Sequence, residues 1–225
     1  MTRVLVLTAI DFEARTLARH LGLGRVARTP WPHFTSGALE LACVGVRACR
    51  LRDRQHAFRP FDLVISAGVC GALAPELAPG DLVVPDVVVD EGGGRWLTGR
   101  IAVLSARGTL LTVSAVVETA AEKARLWLER GARAIDMESA AILAWAAERG
   151  ARAAVVRAVS DTADRGIPAA LAATVADDGR VRPLRAVSVA LSRATTLGAL
   201  MELRAGTETA LKRVAAALAT LAREA

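Results

Sequence analysis

Val4-Leu5-Val6-Leu7 is an unbroken apolar run of strand length that stops at Thr8. Hydrophobicity that is continuous rather than alternating marks a strand covered on both faces, as in sheets flanked by helices. Similar short runs recur at Leu39 to Val44, Leu63 to Ile65, Leu82 to Val84, Val87 to Val89, Leu110 to Val113, Ala134 to Asp136 and Ala153 to Val159. Helical spacing intervenes. Phe12, Leu17 and Leu21 share one side of a first helix, and Ala120, Ala124, Trp127 and Leu128 one side of a second over 119–130. A third, over 138–149, is apolar nearly all round and therefore buried, with Gly150 as its C-cap. Leu211, Val214, Leu218 and Leu221 line a last helix, whereas Ser66 to Ala72 reads as a loop of small residues. Strands alternating with helices specify an α/β fold with a mainly parallel or mixed sheet.

No Pro/Ser-rich linker, charge block or repeat divides the chain, so residues 1–225 are expected to form a single domain. The first apolar run is interrupted by Asp11 and Glu13 and reads as no cleavable signal, and no apolar stretch reaches bilayer-spanning length. Cys43, Cys49 and Cys70 give an odd count without CxxC spacing, which indicates neither disulfides nor a metal site. A cytoplasmic protein is the expectation. The net charge of +6 comes from basic residues scattered over many segments, and tyrosine is absent. A nucleic-acid surface concentrates its charge and offers stacking platforms, so nucleic acid is not expected as a partner. Peripheral contact with anionic lipid headgroups stays open.

In open α/β sheets ligands bind beyond the carboxyl ends of the strands. Three acidic clusters fall there: Asp11/Glu13, Asp136/Glu138 and Ser160/Asp161. Glu138 at the start of a helix would serve the helix dipole, but a dipole needs no burial, and a carboxylate beside so apolar a helix must be paired or functional. Asp161, directly at a strand end, is the candidate acid, and Asp164 the candidate helix cap. Gly68-Val69-Cys70-Gly71 allows close backbone approach to a ligand, although a tight turn explains the two glycines equally well. Cys70 reads as a small loop residue, because His20, His33 and His56 lie far off in sequence and none carries a motif.

Four segments together resemble the nucleoside phosphorylase and nucleosidase superfamily, which includes methylthioadenosine/S-adenosylhomocysteine nucleosidase. They are Thr8 to Ala14, Ser66 to Pro75 followed by Pro79 to Val84, Ala134 to Ala141 and Val155 to Asp164. Asp161 to Pro168, Asp177-Asp178-Gly179 and the helical end look like the hopanoid-associated phosphorylase branch, and futalosine hydrolase is another relative. The resemblance implies a three-layer αβα sandwich with a mixed central sheet, often a homodimer, with no metal or organic cofactor. It implies an enzyme that cleaves the N-glycosidic bond of a purine nucleoside. By motif, Asp161 would protonate or hydrogen-bond the purine, Glu13 would position the attacking water, and Met137 and Glu138 would hold the ribose. Ser160, the Gly68 to Gly71 segment and Val117 would complete the substrate site.

Two departures shape the expectation. Glu13 stands where phosphate-using relatives carry an Arg, and Ser66 and Val69 occupy the glycine-segment positions, which favours water over phosphate. Arg15, Arg47 or Arg157 is left as an anion site, with inorganic phosphate as the alternative co-substrate. Ser114 to Val117 replaces the aromatic residue that stacks on adenine in methylthioadenosine-cleaving relatives, and Phe12 is a candidate substitute. The expected substrate is adenosylhopane, a lipid-linked nucleoside, cleaved by hydrolysis or phosphorolysis with release of adenine. Methylthioadenosine/S-adenosylhomocysteine or futalosine hydrolysis is the alternative, and a noncatalytic nucleoside-binding module is the alternative of another class.

Overall fold

The computed structural model describes residues 2–101, 104–167, 174–180 and 197–224. Its strands are β1 (Val4–Thr8), β2 (Gly24–Arg25), β3 (His33–Ser36), β4 (Leu39–Cys43), β5 (Leu63–Ala72), β6 (Leu82–Val83), β7 (Val87–Asp90), β8 (Arg95–Leu97), β9 (Thr109–Thr112), β10 (Ala132–Asp136) and β11 (Arg152–Asp161). The helices are α1 (Asp11–Leu21), α2 (Leu51–Arg54), α3 (Ala120–Arg130), α4 (Ser139–Ala147) and α5 (Leu197–Glu224). All strands join one mixed sheet ordered β2-β3-β4-β1-β5-β10-β9-β7-β8, with β11 on β5 and β6 on β11.

The continuous apolar runs are strands covered on both faces. Val4 and Val6 of β1 pack with Leu17 of α1 and with Leu211 and Val214 of α5. Leu5 and Leu7 point the other way, to Ile142 and Trp145 of α4. In β10, Ala134 meets Ala140 and Leu143 of α4, whereas the next residue, Ile135, meets Leu126 of α3. This two-residue alternation sorts α1, α3 and α5 to one layer and α4 to the other. The result is the three-layer αβα sandwich. Among the described residues, no helix is long and apolar enough to cross a membrane.

One expectation fails here. Ser66 to Ala72 does not form a loop; it continues β5 to ten residues. β11 supplies the reason, since its ladder with β5 runs in parallel from Arg152↔Leu63 to Asp161↔Gly71 and gives this stretch a hydrogen-bonding neighbour. Small side chains here meet close cover and do not signal a turn.

Candidate active site

β5 changes neighbours along one edge. It lies parallel to β1 at Leu63–Ser66 and antiparallel to β10 at Ala72 and Gly71. Around this switch the ends of β1, β10 and β11 converge on a cleft of about 530 Å³, the place where open α/β sheets hold ligands.

Glu13, in the first turn of α1, is buried at the cleft floor. Its Oε2 accepts from the backbone N–H groups of Ala9 (3.1 Å) and Ile10 (3.2 Å), and its Oε1 from that of Val69 (2.9 Å). A Cβ on Gly68 would sit 2.4 Å from that Oε1, and the residue has φ +149°. Gly68 is therefore a space for Glu13. It does not line the cleft, contrary to the expected ligand contact, whereas Val69, Cys70 and Gly71 do. Burial pushes the Glu13 carboxyl above its usual range, although Arg157 and the three N–H groups oppose the shift.

Arg157 interrupts the otherwise apolar middle of β11 and is the largest fully buried side chain among the described residues. Its Nη2 lies 2.8 Å from Asp136 Oδ2 and 3.3 Å from Glu138 Oε2, and donates to Ser66 Oγ at 3.0 Å. Its Nη1 donates to the Val69 carbonyl. Burial alone would disfavour the guanidinium charge, but the carboxylates of Asp136, Glu138 and Glu13 outweigh burial and hold it protonated. Asp136 is held in turn by Thr112 Oγ1 (2.7 Å) and by the Ser139 backbone N–H (3.1 Å) and hydroxyl.

Glu138 is the N-cap residue of α4. Its Oε1 accepts from the Arg47 N–H at 3.1 Å, and its carboxyl is pushed up to about 7 by burial, against Arg157 and with help from Asp136 and Glu13. Asp161, also in the cleft lining, ends β11. Lys123 of α3 donates to its Oδ2 at 2.5 Å, and Ser160 Oγ to its Oδ1 at 2.6 Å. A Cβ on Gly71 would lie 3.0 Å from the same Oδ2, which keeps position 71 small.

The expected residues Glu13, Val69, Cys70, Gly71, Val117, Met137, Glu138, Ser160 and Asp161 thus share one cleft. Burial pushes the Cys70 thiol well above its usual range, which argues against a nucleophile. Phe12 packs into the core beside α1 and α5 and is not part of the cleft lining. Asp164 accepts from the Thr162 hydroxyl within a turn. Arg15 is half exposed, 3.8 Å from Asp11. Arg47 lines the cleft but reaches Asp177 at 2.8 Å and the Ser114 carbonyl. The sequence marks Arg157 only as an anion site and Lys123 not at all. A charge inside a continuous strand run is the signal that marks the first.

Residues 4–104 and 99–191 match the phosphorylase superfamily. The chain belongs to that superfamily. This phosphorylase-superfamily protein is 36% identical over 159 residues to futalosine hydrolase of Streptomyces coelicolor, a match covering 56% of the chain and 67% of the relative. Solved structures share its fold at low identity. Futalosine hydrolase of Helicobacter pylori has a TM-score of 0.72 at 17% identity, covering 100% of this chain and 98% of that one. An aspartate-to-asparagine mutant of the H. pylori 5′-methylthioadenosine nucleosidase, holding 5′-methylthioadenosine in its active site, has a TM-score of 0.71 at 17% identity with 100% of both chains covered. The expectation of an enzyme that cleaves N-glycosidic bonds agrees with this membership.

Proposed function

We propose that the protein hydrolyses the N-glycosidic bond of a 5′-substituted purine nucleoside. The observation that carries this reading is the charge balance of the cleft. Glu13, Asp136, Glu138 and Asp161 gather there, and the two cations buried among the described residues, Arg157 and Lys123, are both already paired with carboxylates.

Such a lining suits positive charge on a departing sugar. As the C1′–N bond lengthens, the ribose becomes oxocarbenium-like, and fixed carboxylates stabilise it more than the neutral substrate. Glu138 would accept from the ribose hydroxyls with Met137 against the sugar. Glu13 would fix water for attack at C1′. Asp161 and Ser160 would face the purine and deliver the proton that makes it a neutral leaving group. Val69, Cys70, Gly71 and Val117 would bound the base and sugar.

The same balance disfavours phosphate. An incoming dianion needs cationic or backbone donors free to receive it, and here Arg157 serves Asp136 and Glu138 while Arg47 serves Asp177. Water is the nucleophile in this reading.

The cleft walls are largely apolar, with Val46, Val113, Val116, Ile135, Ile167 and Val175 contributing, and no aromatic ring lies among its described lining residues. That favours an apolar 5′ substituent, as in the lipid-linked nucleoside adenosylhopane. Futalosine is the second reading, favoured by the S. coelicolor relative. Release of free base from adenosylhopane, futalosine, methylthioadenosine and S-adenosylhomocysteine, measured by chromatography with and without phosphate, tests the reading. Turnover at the same rate in phosphate-free buffer is expected; a strict phosphate requirement overturns hydrolysis. Absence of free base from every substrate would leave a binding module.

A further inference from the structure

The chain contains 29 basic residues but only two lysines, Lys123 and Lys212. Arginine fills nearly every cationic position, yet Lys123 is among the most buried side chains in the molecule, at 1% exposure. It projects from α3 to the cleft, where its Nζ donates to Asp161 Oδ2 at 2.5 Å and to the Thr162 carbonyl at 2.8 Å. A buried ion pair is weak evidence for stability, since desolvation offsets most of the attraction and a packed apolar side chain would close the same contact. The difference between lysine and arginine points to another purpose. Lysine is a compact point charge that can release a proton, whereas the guanidinium is effectively always charged.

We propose that Lys123 is a positioning residue for departure of the base, a role that rests on the hydrolase reading above. Its ammonium holds Oδ2 of Asp161 while Ser160 holds Oδ1, so the carboxyl group is fixed from both sides beside Gly71, which has no Cβ to obstruct it. When the glycosidic bond breaks, its electron pair passes to the purine. The purine takes one proton from Asp161, which draws it from the Lys123 ammonium, water adds its hydroxyl to C1′, and the proton left by that water returns to Lys123 through solvent. Lys123 thus acts through Asp161 and makes no claim on the ribose, which Glu138 and Met137 would serve.

The experiment compares wild type, Lys123→Met, Lys123→Ala, Asp161→Asn and the double variant Lys123→Met/Asp161→Asn, using the most active nucleoside of the panel above. Lys123→Met is expected to lose at least thirtyfold in kcat with KM within about threefold. In the Asp161→Asn background the same change should cost less than threefold. Ethylamine or propylamine should restore at least tenfold of the activity lost in Lys123→Ala, an effect that a purely structural lysine would not show. If Lys123→Met retains wild-type kcat, or its loss is equal in both backgrounds and amine restores nothing, the role is overturned while hydrolysis stands. If the wild type releases no base from any nucleoside, both readings fall together. Circular dichroism and melting temperature identify a variant that has lost its fold, and Lys123→Ala with amine then decides by recovery or its absence.

Discussion

The guanidinium of Arg157 lies 2.8 Å from the carboxylate of Asp136, and both side chains are only 1% exposed. This pair ties β11 to the end of β10 across the point where β5 exchanges one neighbour for the other. It also explains how Glu138 and Glu13 can be buried close by, because the charge of Arg157 acts on all three carboxylates.

Removing one partner should therefore cost far more than exchanging both. Arg157→Met leaves Asp136, Glu138 and Glu13 facing one another without a counter-charge, and a loss of about 3–5 kcal/mol is expected. Adding Asp136→Asn to Arg157→Met should recover part of that loss. Urea unfolding of the single and double variants checks this, and a double variant no more stable than Arg157→Met would show that the pair does not govern the burial of its neighbours.

Glu138 gives the site a pH dependence with a definite direction. Folding raises its carboxyl from 4.5 to about 7, chiefly through burial, so the native state binds a proton that the unfolded chain has released. The resulting stabilisation is complete below pH 4.5 and disappears as pH rises through 7, a contribution on the order of 3 kcal/mol. Glu13 shifts in the same direction, and its negative charge helps to raise the Glu138 carboxyl. Melting temperatures between pH 4.5 and 8 should show the decline, and Glu138→Gln should flatten it. Catalysis runs the opposite way, since the ionised carboxylate serves the ribose: kcat/KM is expected to rise with pH through about 7. The same plot for Glu138→Gln should be low and lack this limb.

Much of the fold was legible because its signals are local. The run Val4 to Leu7 and the all-apolar helix at Ala140 to Trp145 each specify burial without reference to anything distant. The cleft was legible in outline, because Glu13, Glu138 and Asp161 follow strand ends. What escaped were features defined by partners far along the chain. Ser66 to Ala72 looks like a loop until β11 is laid beside it. Lys123 occupies an ordinary-looking helical position, and nothing within several residues reveals that its ammonium meets a carboxylate 38 residues away. Gly68 was legible as a glycine with a purpose, but the purpose depends on where Glu13 arrives.

That last relationship yields the sharpest local test. Position 68 combines φ +149° with a Cβ direction that ends 2.4 Å from Glu13 Oε1 and 3.0 Å from Arg157 Nη1. Gly68→Ala must therefore move the Glu13 carboxylate, the Arg157 guanidinium or the β5 backbone, at a cost of about 1–3 kcal/mol for the strained backbone alone. Displacing Glu13 would break its bonds to the N–H groups of Val69, Ala9 and Ile10. Because catalysis depends on placement to within about an ångström, kcat should fall at least thirtyfold, with KM changed less. Steady-state kinetics and urea unfolding, run together, separate the two effects. A Gly68→Ala enzyme with wild-type kcat would mean that Glu13 need not stay where the backbone holds it, and its assignment to the attacking water would have to be abandoned.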